Sequence, residues 1–264
     1  MTSVKEKVAF YLDDYSTPAG KVIEFFLLLI NLLACALYVT ITYQPLDELP
    51  EGMILLEVAL VSVFIVEYVL RFWVAQRKLS FVFSFYAIVD MLSILPIFFE
   101  VHTAGFLRLL RVLRILRFTR FLDNENFFFG RLTILQLQVV RTIFTLVTII
   151  FIWAGFINYA ETGVGSSRIG TFGDAVYFAI VTLSTVGFGD ITPSTGMGRL
   201  FTALMICSGV ILIPWQASRL VQALIAGGRH KRQIVCPGCG LKYHEPDADY
   251  CKACGSDLYL DKPS

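Results

Sequence analysis

Long uncharged apolar stretches are the feature of this sequence that most limits its fold. Residues 25–46, 142–160 and 200–218 contain no Asp, Glu, Lys or Arg. An α-helix needs ~20 such residues to cross the hydrocarbon core of a bilayer. Charged residues are 16% of the chain, whereas they are about 25% of a typical soluble domain. The sequence therefore predicts an all-α membrane protein.

Three further stretches are long enough to cross a membrane but carry charges. Residues 54–74 contain Glu57, Glu67 and Arg71, residues 79–99 contain Asp90, and residues 101–122 contain five arginines. Residues 175–189 are uncharged but too short to cross, which favours a re-entrant segment that enters and leaves on one side. We therefore predict six transmembrane helices with a re-entrant helix between the last two.

The positive charges predict the orientation of the chain. Lys and Arg precede the first crossing and follow the second and the sixth, whereas acidic residues dominate the opposite connections. Because cytoplasmic loops are enriched in Lys and Arg, we expect a multi-pass protein of the cell membrane with both termini cytoplasmic. Asp13 and Asp14 argue against a secretory leader.

The fourth crossing carries an arginine at every third position. These are Arg108, Arg111, Arg114, Arg117 and Arg120. Inserting one arginine at mid-bilayer costs at least ~2.5–3.5 kcal/mol of free energy, so five arginines in one crossing require a functional explanation. A helix lying on a membrane surface is the alternative, but it would space its charges by threes and fours. Steps of three drift about 60° on an α-helix, whereas a 3₁₀ helix aligns them in one row. We interpret the row as built to slide past fixed partners.

Acidic residues of the neighbouring crossings supply counter-charges for these arginines. Glu57, Phe64, Glu67 and Arg71 share the second crossing, and Asp90 lies in the third, before Pro96. This order resembles the voltage-sensor domain of voltage-gated potassium channels. The resemblance implies a voltage sensor over residues 22–122, in which Phe64 caps a hydrophobic septum that the arginines pass one at a time. Moving about three charges in each of four subunits through 100 mV is worth ~28 kcal/mol, which is enough to open a pore steeply.

The re-entrant segment ends in Thr-Leu-Ser-Thr-Val-Gly-Phe-Gly-Asp, residues 182–190. Gly187 and Gly189 permit left-handed backbone angles, and alternating them with ordinary angles can point successive carbonyls toward one axis. The stretch resembles the selectivity filter of potassium channels, with Phe188 in place of the commoner Tyr. The resemblance implies K⁺ as the permeant ion and a filter made of Thr185, Val186, Gly187, Phe188, Gly189 and Asp190. Because one loop cannot encircle an ion, we expect a homotetramer in the lipid bilayer.

The rest of the membrane part is interpreted as a linker and a pore domain. Residues 123–140 are predicted to form a linker, with an interfacial helix over 131–138, and residues 141–228 the pore. Gly209 and Pro214 favour a bend in the sixth crossing. Gly209 resembles the hinge of potassium-channel inner helices, and the alternative is that both residues serve packing.

Four cysteines near the end of the chain form two Cys-x-x-Cys pairs. They are Cys236, Cys239, Cys251 and Cys254. Four thiolates can hold Zn²⁺ in a tetrahedral structural site, and a cytoplasmic location favours metal over disulfides. The spacing resembles a zinc ribbon over residues 236–260, joined by a basic linker over 229–235. Tight turns are expected at Gly240 and Gly255, and His244 is expected at the surface. The ribbon would serve in docking, in assembly or in sensing, and its partner would then be a cytoplasmic molecule or another copy of the chain.

Together these features predict a voltage-gated potassium-selective channel, opened by movement of the arginine-bearing fourth helix. Residues 1–21 would be a cytoplasmic segment before the first helix. The sequence contains no nucleophile–base pair or phosphate-binding loop, so an enzyme is not expected. One alternative is a potassium or weakly selective cation channel gated by a cytoplasmic ligand or partner through the ribbon. A secondary transporter would typically show internal repeats, and none is visible. A membrane-anchored ribbon that binds nucleic acid or another protein is disfavoured by the short tail, and no nucleic acid partner is expected.

Overall fold

The computed structural model describes residues 18–44, 50–97, 109–122, 126–127, 130–131, 134–162, 164, 167–228, 232–245 and 248–258. This part of the chain is mostly helical, as predicted. Four of its helices are long and apolar enough to cross a membrane. They are α1 (Pro18–Thr42), α2 (Glu51–Val74), α6 (Ile134–Glu161) and α8 (Gly196–Gly228).

The third predicted crossing is broken rather than continuous. Its residues form α3 (Lys78–Val82), α4 (Phe85–Ile94) and a 3₁₀ turn over Leu95–Ile97. Ser84 separates the two α-helices, because its hydroxyl accepts the backbone N–H of Ala87 and so begins α4 as an N-cap. Pro96 lies in the turn after α4, where it cannot donate a helical hydrogen bond. The expectation of one helix over residues 79–99 is corrected accordingly.

The arginine-rich stretch forms a 3₁₀ helix over Leu110–Phe118, which we call the arginine helix. It continues into α5 (Thr119–Leu122). A 3₁₀ helix has three residues per turn, so side chains three apart lie above one another. Of the two geometries that the spacing of three left open, the structure therefore adopts the one that aligns the charges. Arg108 lies outside the described residues.

The connection from α5 to α6 differs from the prediction. Strands β1 (Asn126–Phe127) and β2 (Gly130–Arg131) pair antiparallel, with Asn126 opposite Arg131. No separate interfacial helix over 131–138 is present among the described residues, because α6 begins at Ile134 and runs without interruption to Glu161. No proline lies in this run, so nothing ends the helix between linker and crossing.

The short helix α7 (Phe172–Leu183) precedes the predicted filter. It begins with a capping box, in which Thr171 Oγ1 accepts the N–H of Asp174 and the Asp174 carboxylate accepts the N–H of Thr171. Its 12 residues are too few to cross a bilayer. This agrees with a helix that enters and leaves on one side.

One apolar core joins the arginine helix and α1 to the helices around the filter. Tyr38 of α1 and Val112 of the arginine helix are buried in the same cluster as Ala154 and Ile157 of α6. Tyr38 also packs edge-on against Phe172 at the start of α7. The sensor-like and pore-like parts of the chain are therefore packed against each other.

Candidate functional site

The backbone after α7 alternates between left-handed and ordinary angles. Thr185, Gly187 and Gly189 have φ of 62°, 60° and 75°, whereas Val186 and Phe188 between them keep negative φ. Both glycines therefore adopt the predicted conformation, and Thr185 adds a third position. Positive φ in a β-branched residue is strained and persists only where the surroundings enforce it. Alternating positive and negative φ angles allow the successive carbonyl groups of this segment to point toward one axis.

Hydrogen bonds hold this segment against the short helix and the nearby loop. The N–H groups of Val186 and Gly187 both lie 3.2 Å from the carbonyl oxygen of Val181. The Tyr177 hydroxyl donates to the Asp190 carboxylate over 2.9 Å, and Arg168 donates to the Asp190 carbonyl over 3.0 Å. Neither Tyr177 nor Arg168 was predicted to contact the filter. Their separation from Asp190 along the chain carries no recognisable signal.

Glu161, at the end of α6, anchors the chain that leaves the filter. Its side chain is 1% exposed. Its carboxylate accepts hydrogen bonds of 2.6–3.0 Å from the Ser167 hydroxyl and from the hydroxyl and N–H groups of Ser194 and Thr195. Five donors on one buried carboxylate form a strong, charge-assisted contact. Glu161 was not predicted to be functional, and the only signal for it in the sequence is the Thr and Ser residues that follow it.

Two arginines of the arginine helix share one acid of α2. Arg111 Nη1 lies 2.8 Å from Glu57 Oε2, and Arg114 Nη2 lies 3.2 Å from Glu57 Oε1. The Tyr43 hydroxyl, just after α1, accepts the N–H of Gly173 at the start of α7. α2 begins after this end of α1, so Glu57, in the first half of α2, lies toward the same end of the molecule as the start of α7. Glu57 thus lies beside two of its predicted partners.

Two further arginines pair with acids on the other side of Phe64. Arg117 Nε lies 3.2 Å from Asp90 Oδ1, and Arg120 lies 2.7 Å from Asp90 and 3.1 Å from Glu67. The Arg117 guanidinium stacks 3.9 Å above the centre of the buried Phe64 ring. Phe64 therefore separates two arginine–acid clusters. The four arginines of the row that the structure describes all contact acids selected from the sequence.

Three polar residues that the sequence analysis did not assign complete this region. Ser93 Oγ accepts from Arg117 Nε at 2.9 Å. Glu24 of α1 lies 3.9 Å from Arg71. Asn31 of α1 is 2% exposed, and neither atom of its amide has a hydrogen-bond partner among the described residues. Asn31 lines a void of about 10 Å³ together with the side chains around Phe64 and Arg117.

The predicted hinge residues lie within an unbroken helix. α8 runs through Gly209 and Pro214. A Cβ on Gly209 would lie 2.5 Å from Leu183 Cδ2, so close packing against α7 is a reason for glycine here. Beyond Pro214, the Gln216 amide donates to Thr145 Oγ1 of α6 over 2.7 Å. The position of a gate stays a prediction.

The four C-terminal cysteines come together with the geometry of a metal site. Their sulfur atoms lie within 4.8 Å of one another, with Cys236 and Cys254 3.5 Å apart and Cys239 and Cys251 3.6 Å apart. Sulfurs in a tetrahedral zinc site with Zn–S bonds of ~2.3 Å lie ~3.8 Å apart, whereas a disulfide is ~2.05 Å long. The donor set therefore fits Zn²⁺.

The surroundings of the cysteines also suit a metal. Gly240 and Gly255 have φ of 76° and 74° and close the predicted turns by donating to Cys236 and Cys251 carbonyls. His244 is 1% exposed, and its Nδ1 lies 3.0 Å from the Ile234 carbonyl, so the expectation that it lies at the surface is wrong. The His244 side chain and the Ala253 N–H lower the pKa of Cys251 to about 5, which favours a metal-binding thiolate.

Comparison with known proteins assigns the family. Residues 20–214 match the family model of ion transport proteins. The chain belongs to this family. That assignment agrees with the predicted resemblance to voltage-gated potassium channels and with the expectation that the protein is not an enzyme. The cysteine pairs lie beyond the matched residues.

Curated proteins that are similar to this chain include potassium channels. A protein of Rhodopseudomonas palustris named as a candidate potassium channel is 31% identical over 173 residues, 60% of this chain and 42% of that protein. The A-type voltage-gated potassium channel KCND3 of Rattus norvegicus and of Homo sapiens is 31% identical over 167 residues, 60% of this chain and 26% of the relative. The chain therefore spans less than half the length of these relatives.

Proposed function

We propose that this chain forms a homotetrameric potassium-selective channel in the cell membrane, opened when voltage moves the arginine helix. The alternating backbone at Thr185, Gly187 and Gly189 carries the proposal. Four copies around an axis would stack rings of carbonyl oxygens that replace the hydration shell of K⁺. Asp190, held by Tyr177, would lie at the outer mouth and concentrate cations there.

Exposure of the filter and of α8 supports assembly as a tetramer. Phe188 is 69% exposed in the single chain, and Val210 and Ile211 of α8 present large apolar side chains that are almost as open. Large apolar side chains with this exposure are typical of an interface or a lipid contact. Closed four-fold symmetry would cover part of it and would complete the rings that one chain leaves open.

The proposed topology has six crossings, with both termini cytoplasmic. α1, α2, the broken α3–α4 segment and the arginine helix would form the sensor over residues 22–122. α6, α7 and α8 would form the pore over residues 141–228. The placement of Lys and Arg supports this orientation. The broken α3–α4 segment and the arginine helix would cross the membrane with their polar groups facing one another and not the lipid.

The arginine helix would act by exchanging partners across Phe64. Arg111 and Arg114 lie with Glu57 on one side, while Arg120 lies with Asp90 and Glu67 on the other. Arg117, stacked on the Phe64 ring, is placed at the boundary. A step of one arginine would carry charge through the narrow zone around this ring, and each charge moved through 100 mV is worth ~2.3 kcal/mol.

The cysteine cluster would bind Zn²⁺ as a structural ion. Cys236, Cys239, Cys251 and Cys254 would hold it, and zinc would stabilise a ribbon too small to fold without metal. α8 extends to Gly228, close in sequence to the ribbon. This continuity favours a second role for the ribbon, in which a cytoplasmic partner biases α8 and so the pore.

Recording from purified protein in a planar bilayer with asymmetric K⁺ and Na⁺ tests the proposal. We expect a reversal potential that follows the K⁺ gradient, and an open probability that changes with voltage. A reversal potential that follows Na⁺ or Cl⁻ would exclude the filter assignment. Neutralising Arg111 and Arg114 to Gln should flatten the dependence of current on voltage, and an unchanged slope and midpoint would exclude the sensor.

A further inference from the structure

Each of the two Cys-x-x-Cys pairs combines one buried and one exposed cysteine. Cys236 and Cys251, the first cysteine of each pair, are 2% and 3% exposed and pack with Leu258 in the small core of the C-terminal tail. Cys239 and Cys254, the second cysteine of each pair, are exposed. Each pair therefore presents one cysteine to solvent and keeps the other inside.

An exposed cysteine that binds a metal is open to oxidation. Zinc binds cysteine only after the thiol has lost its proton, and the resulting thiolate is the nucleophilic form of the side chain. Susceptibility to oxidation follows thiolate character and exposure. Cys239 and Cys254 are therefore the expected points of attack, whereas the burial of Cys236 and Cys251 protects them from the first step.

The exposed cysteine of each pair lies next to the buried cysteine of the other pair. Cys254 Sγ is 3.5 Å from Cys236 Sγ, and Cys239 Sγ is 3.6 Å from Cys251 Sγ. A disulfide bond is ~2.05 Å long, so each of these contacts needs to shorten by about 1.5 Å to become covalent. An oxidised sulfur at the surface therefore has a buried thiolate within reach, on the other pair.

We propose that the tail is an oxidation site for hydrogen peroxide, at which two crossed disulfides form and Zn²⁺ is released. The disulfides join Cys236 to Cys254 and Cys239 to Cys251. This inference rests on the proposed zinc site, but not on the proposed voltage-gated pore. Disulfides of cytosolic proteins are usually transient and catalytic or redox-sensing, which suits a tail proposed to lie on the cytoplasmic side.

The oxidation takes two steps at each exposed cysteine. The Cys254 thiolate attacks one oxygen of the peroxide, the O–O bond breaks, and a sulfenic acid and a hydroxide ion are formed. The Cys236 thiolate then attacks the sulfenic sulfur, so that the S–S bond forms and a second hydroxide ion leaves. Two thiolates thus lose two electrons, and one peroxide is reduced to two hydroxide ions. Cys239 and Cys251 react in the same way.

Formation of both disulfides removes all four ligands from the metal. Structural zinc sites bind the thiolate form of cysteine, and a sulfur within a disulfide no longer carries that charge. Crossed disulfides also keep residues 236–239 tied to residues 251–254 after the metal has left. The oxidised tail therefore stays cross-linked, and reduction returns the four thiolates to neighbouring positions.

Zinc release from the full-length protein tests the proposal. Protein purified in detergent is analysed for metal and treated with hydrogen peroxide, and the released Zn²⁺ is followed with a chelator whose absorbance changes on binding. We expect loss of nearly all of the bound zinc, and its recovery after dithiothreitol and Zn²⁺ are added. Zinc that stays bound, or cysteines oxidised irreversibly to sulfinic acids, would overturn the proposal.

Mass spectrometry of tryptic peptides identifies the pairing. Trypsin cleaves after Lys242 and Lys252, so the first Cys-x-x-Cys pair stays on one peptide and the second is divided between two. Crossed disulfides join all three peptides, and fragmentation between Cys236 and Cys239 shows which cysteine is bound to which peptide. Disulfides within the pairs would leave the first peptide unlinked, and this result would exclude the crossed arrangement.

Two variants and a control locate the reactive cysteines. Cys254→His and Cys239→His each keep a donor that Zn²⁺ accepts, but remove one exposed thiolate. After peroxide treatment, Cys254→His should contain only the disulfide between Cys239 and Cys251, and Cys239→His only the one between Cys236 and Cys254. A disulfide between Cys236 and Cys239 in Cys254→His would contradict the pairing. Cys207→Ser lacks an exposed cysteine of α8 outside the cluster, and should release zinc like the wild type.

The metal content before oxidation separates this proposal from the one on which it rests. Protein that contains no zinc as purified would exclude the zinc site and the oxidation site together. Protein that holds one zinc per chain and keeps it in peroxide would leave the zinc site in place and exclude only its oxidation.

Discussion

Single buried polar groups hold the predicted sensor and the predicted filter in place. Glu161 ties the end of α6 to Ser194 and Thr195, in the segment that joins the predicted filter to α8. Close packing leaves no room for a side chain on Gly198, where a Cβ would collide with the Glu161 carboxylate. Such contacts keep a strained backbone in place, because the surroundings supply the free energy that the strain costs.

Replacing Glu161 with Ala should weaken the filter. The substitution leaves five donors without their acceptor, and each hydrogen bond to a charged group contributes ~1.5–3 kcal/mol. We expect lower thermal stability of the assembled protein and faster loss of current during prolonged opening, measured by tetramer melting and bilayer recording. Glu51→Ala, at an exposed position at the start of α2, serves as control. Equal melting temperatures for wild type and Glu161→Ala would contradict the anchoring role.

Asn31 is expected to take part in sensor movement. The void beside Asn31 and Arg117 is about 10 Å³, close to the space that one water needs. Arg117 Nη1 also lacks a partner among the described residues, so a water placed between the two groups would satisfy both. Asn31→Leu should remove the bridge and move the equilibrium between sensor positions by about tenfold, the low end of the range for hydrogen bonds to charged groups.

Gating-current recordings measure this shift. Leu33→Ala, on the exposed side of the same helix, is the control and should leave the gating midpoint near that of the wild type. An Asn31→Leu midpoint equal to that of Leu33→Ala would show that Asn31 is only a packing residue.

At the scale of elements, the arginine helix depends on a close approach to α6. A Cβ on Gly155 of α6 would lie 2.6 Å from Val112 Cγ2 and 3.0 Å from the Tyr38 hydroxyl. Only glycine allows the two elements to come this near without displacement. The 3₁₀ helix that aligns the arginines therefore packs against a position of α6 that has no side chain.

Gly155→Val should push the arginine helix away from α6. Overpacking of a tight contact costs ~1–3 kcal/mol, and the resulting displacement should change the voltage dependence of the current. The matched substitution is Gly52→Val in α2, since a Cβ on Gly52 would meet nothing within 4 Å. Stability is measured by thermal melting and gating by bilayer recording. If both variants behave alike, the close approach has no role in coupling.

At the scale of the whole molecule, the chain combines a membrane part and a tail that carries the candidate metal site. The two parts have separate cores, because Cys236, Cys251 and Leu258 form a buried cluster of their own. Metal in the tail should therefore be removable without unfolding the membrane helices.

Metal analysis of purified protein should find one zinc per chain, or four per tetramer. Cys251→Ser removes one of four ligands and should strongly lower the zinc content, while the far-ultraviolet helical signal stays close to that of the wild type. Cys207→Ser, an exposed cysteine of α8 outside the cluster, should bind zinc like the wild type. Full zinc occupancy in Cys251→Ser would exclude the four-cysteine site.

Local patterns in the sequence were sufficient to predict several features of the site. These patterns are the arginine at every third position, the glycines at 187 and 189 and the two Cys-x-x-Cys pairs. Each of them determines a backbone conformation or a set of possible metal ligands within a few residues of the chain. The acids at 57, 67 and 90 were also recognised, because charges are so costly in a membrane that they need partners.

Two predictions failed where a local signal competed with tertiary packing or a cap. His244 is polar, yet the C-terminal tail buries it beside Ile234. Residues 134–138 of the expected linker helix are helical, but they belong to α6. The third crossing was expected to be continuous, but Ser84 begins a new helix within it.

By itself, the sequence determined that the chain is a helical membrane protein. It also determined at which glycines the backbone is left-handed, which residues carry charge in the membrane part and which cysteines could bind a metal. These properties depend on apolar length, on glycine and on side-chain chemistry, all of which are local. Only the tertiary structure decided that Glu57 pairs with two arginines, that Tyr177 holds Asp190 and that Glu161 accepts hydrogen bonds from Ser194 and Thr195. Such pairings join residues far apart in the chain, and depend on how helices pack rather than on any pattern along them.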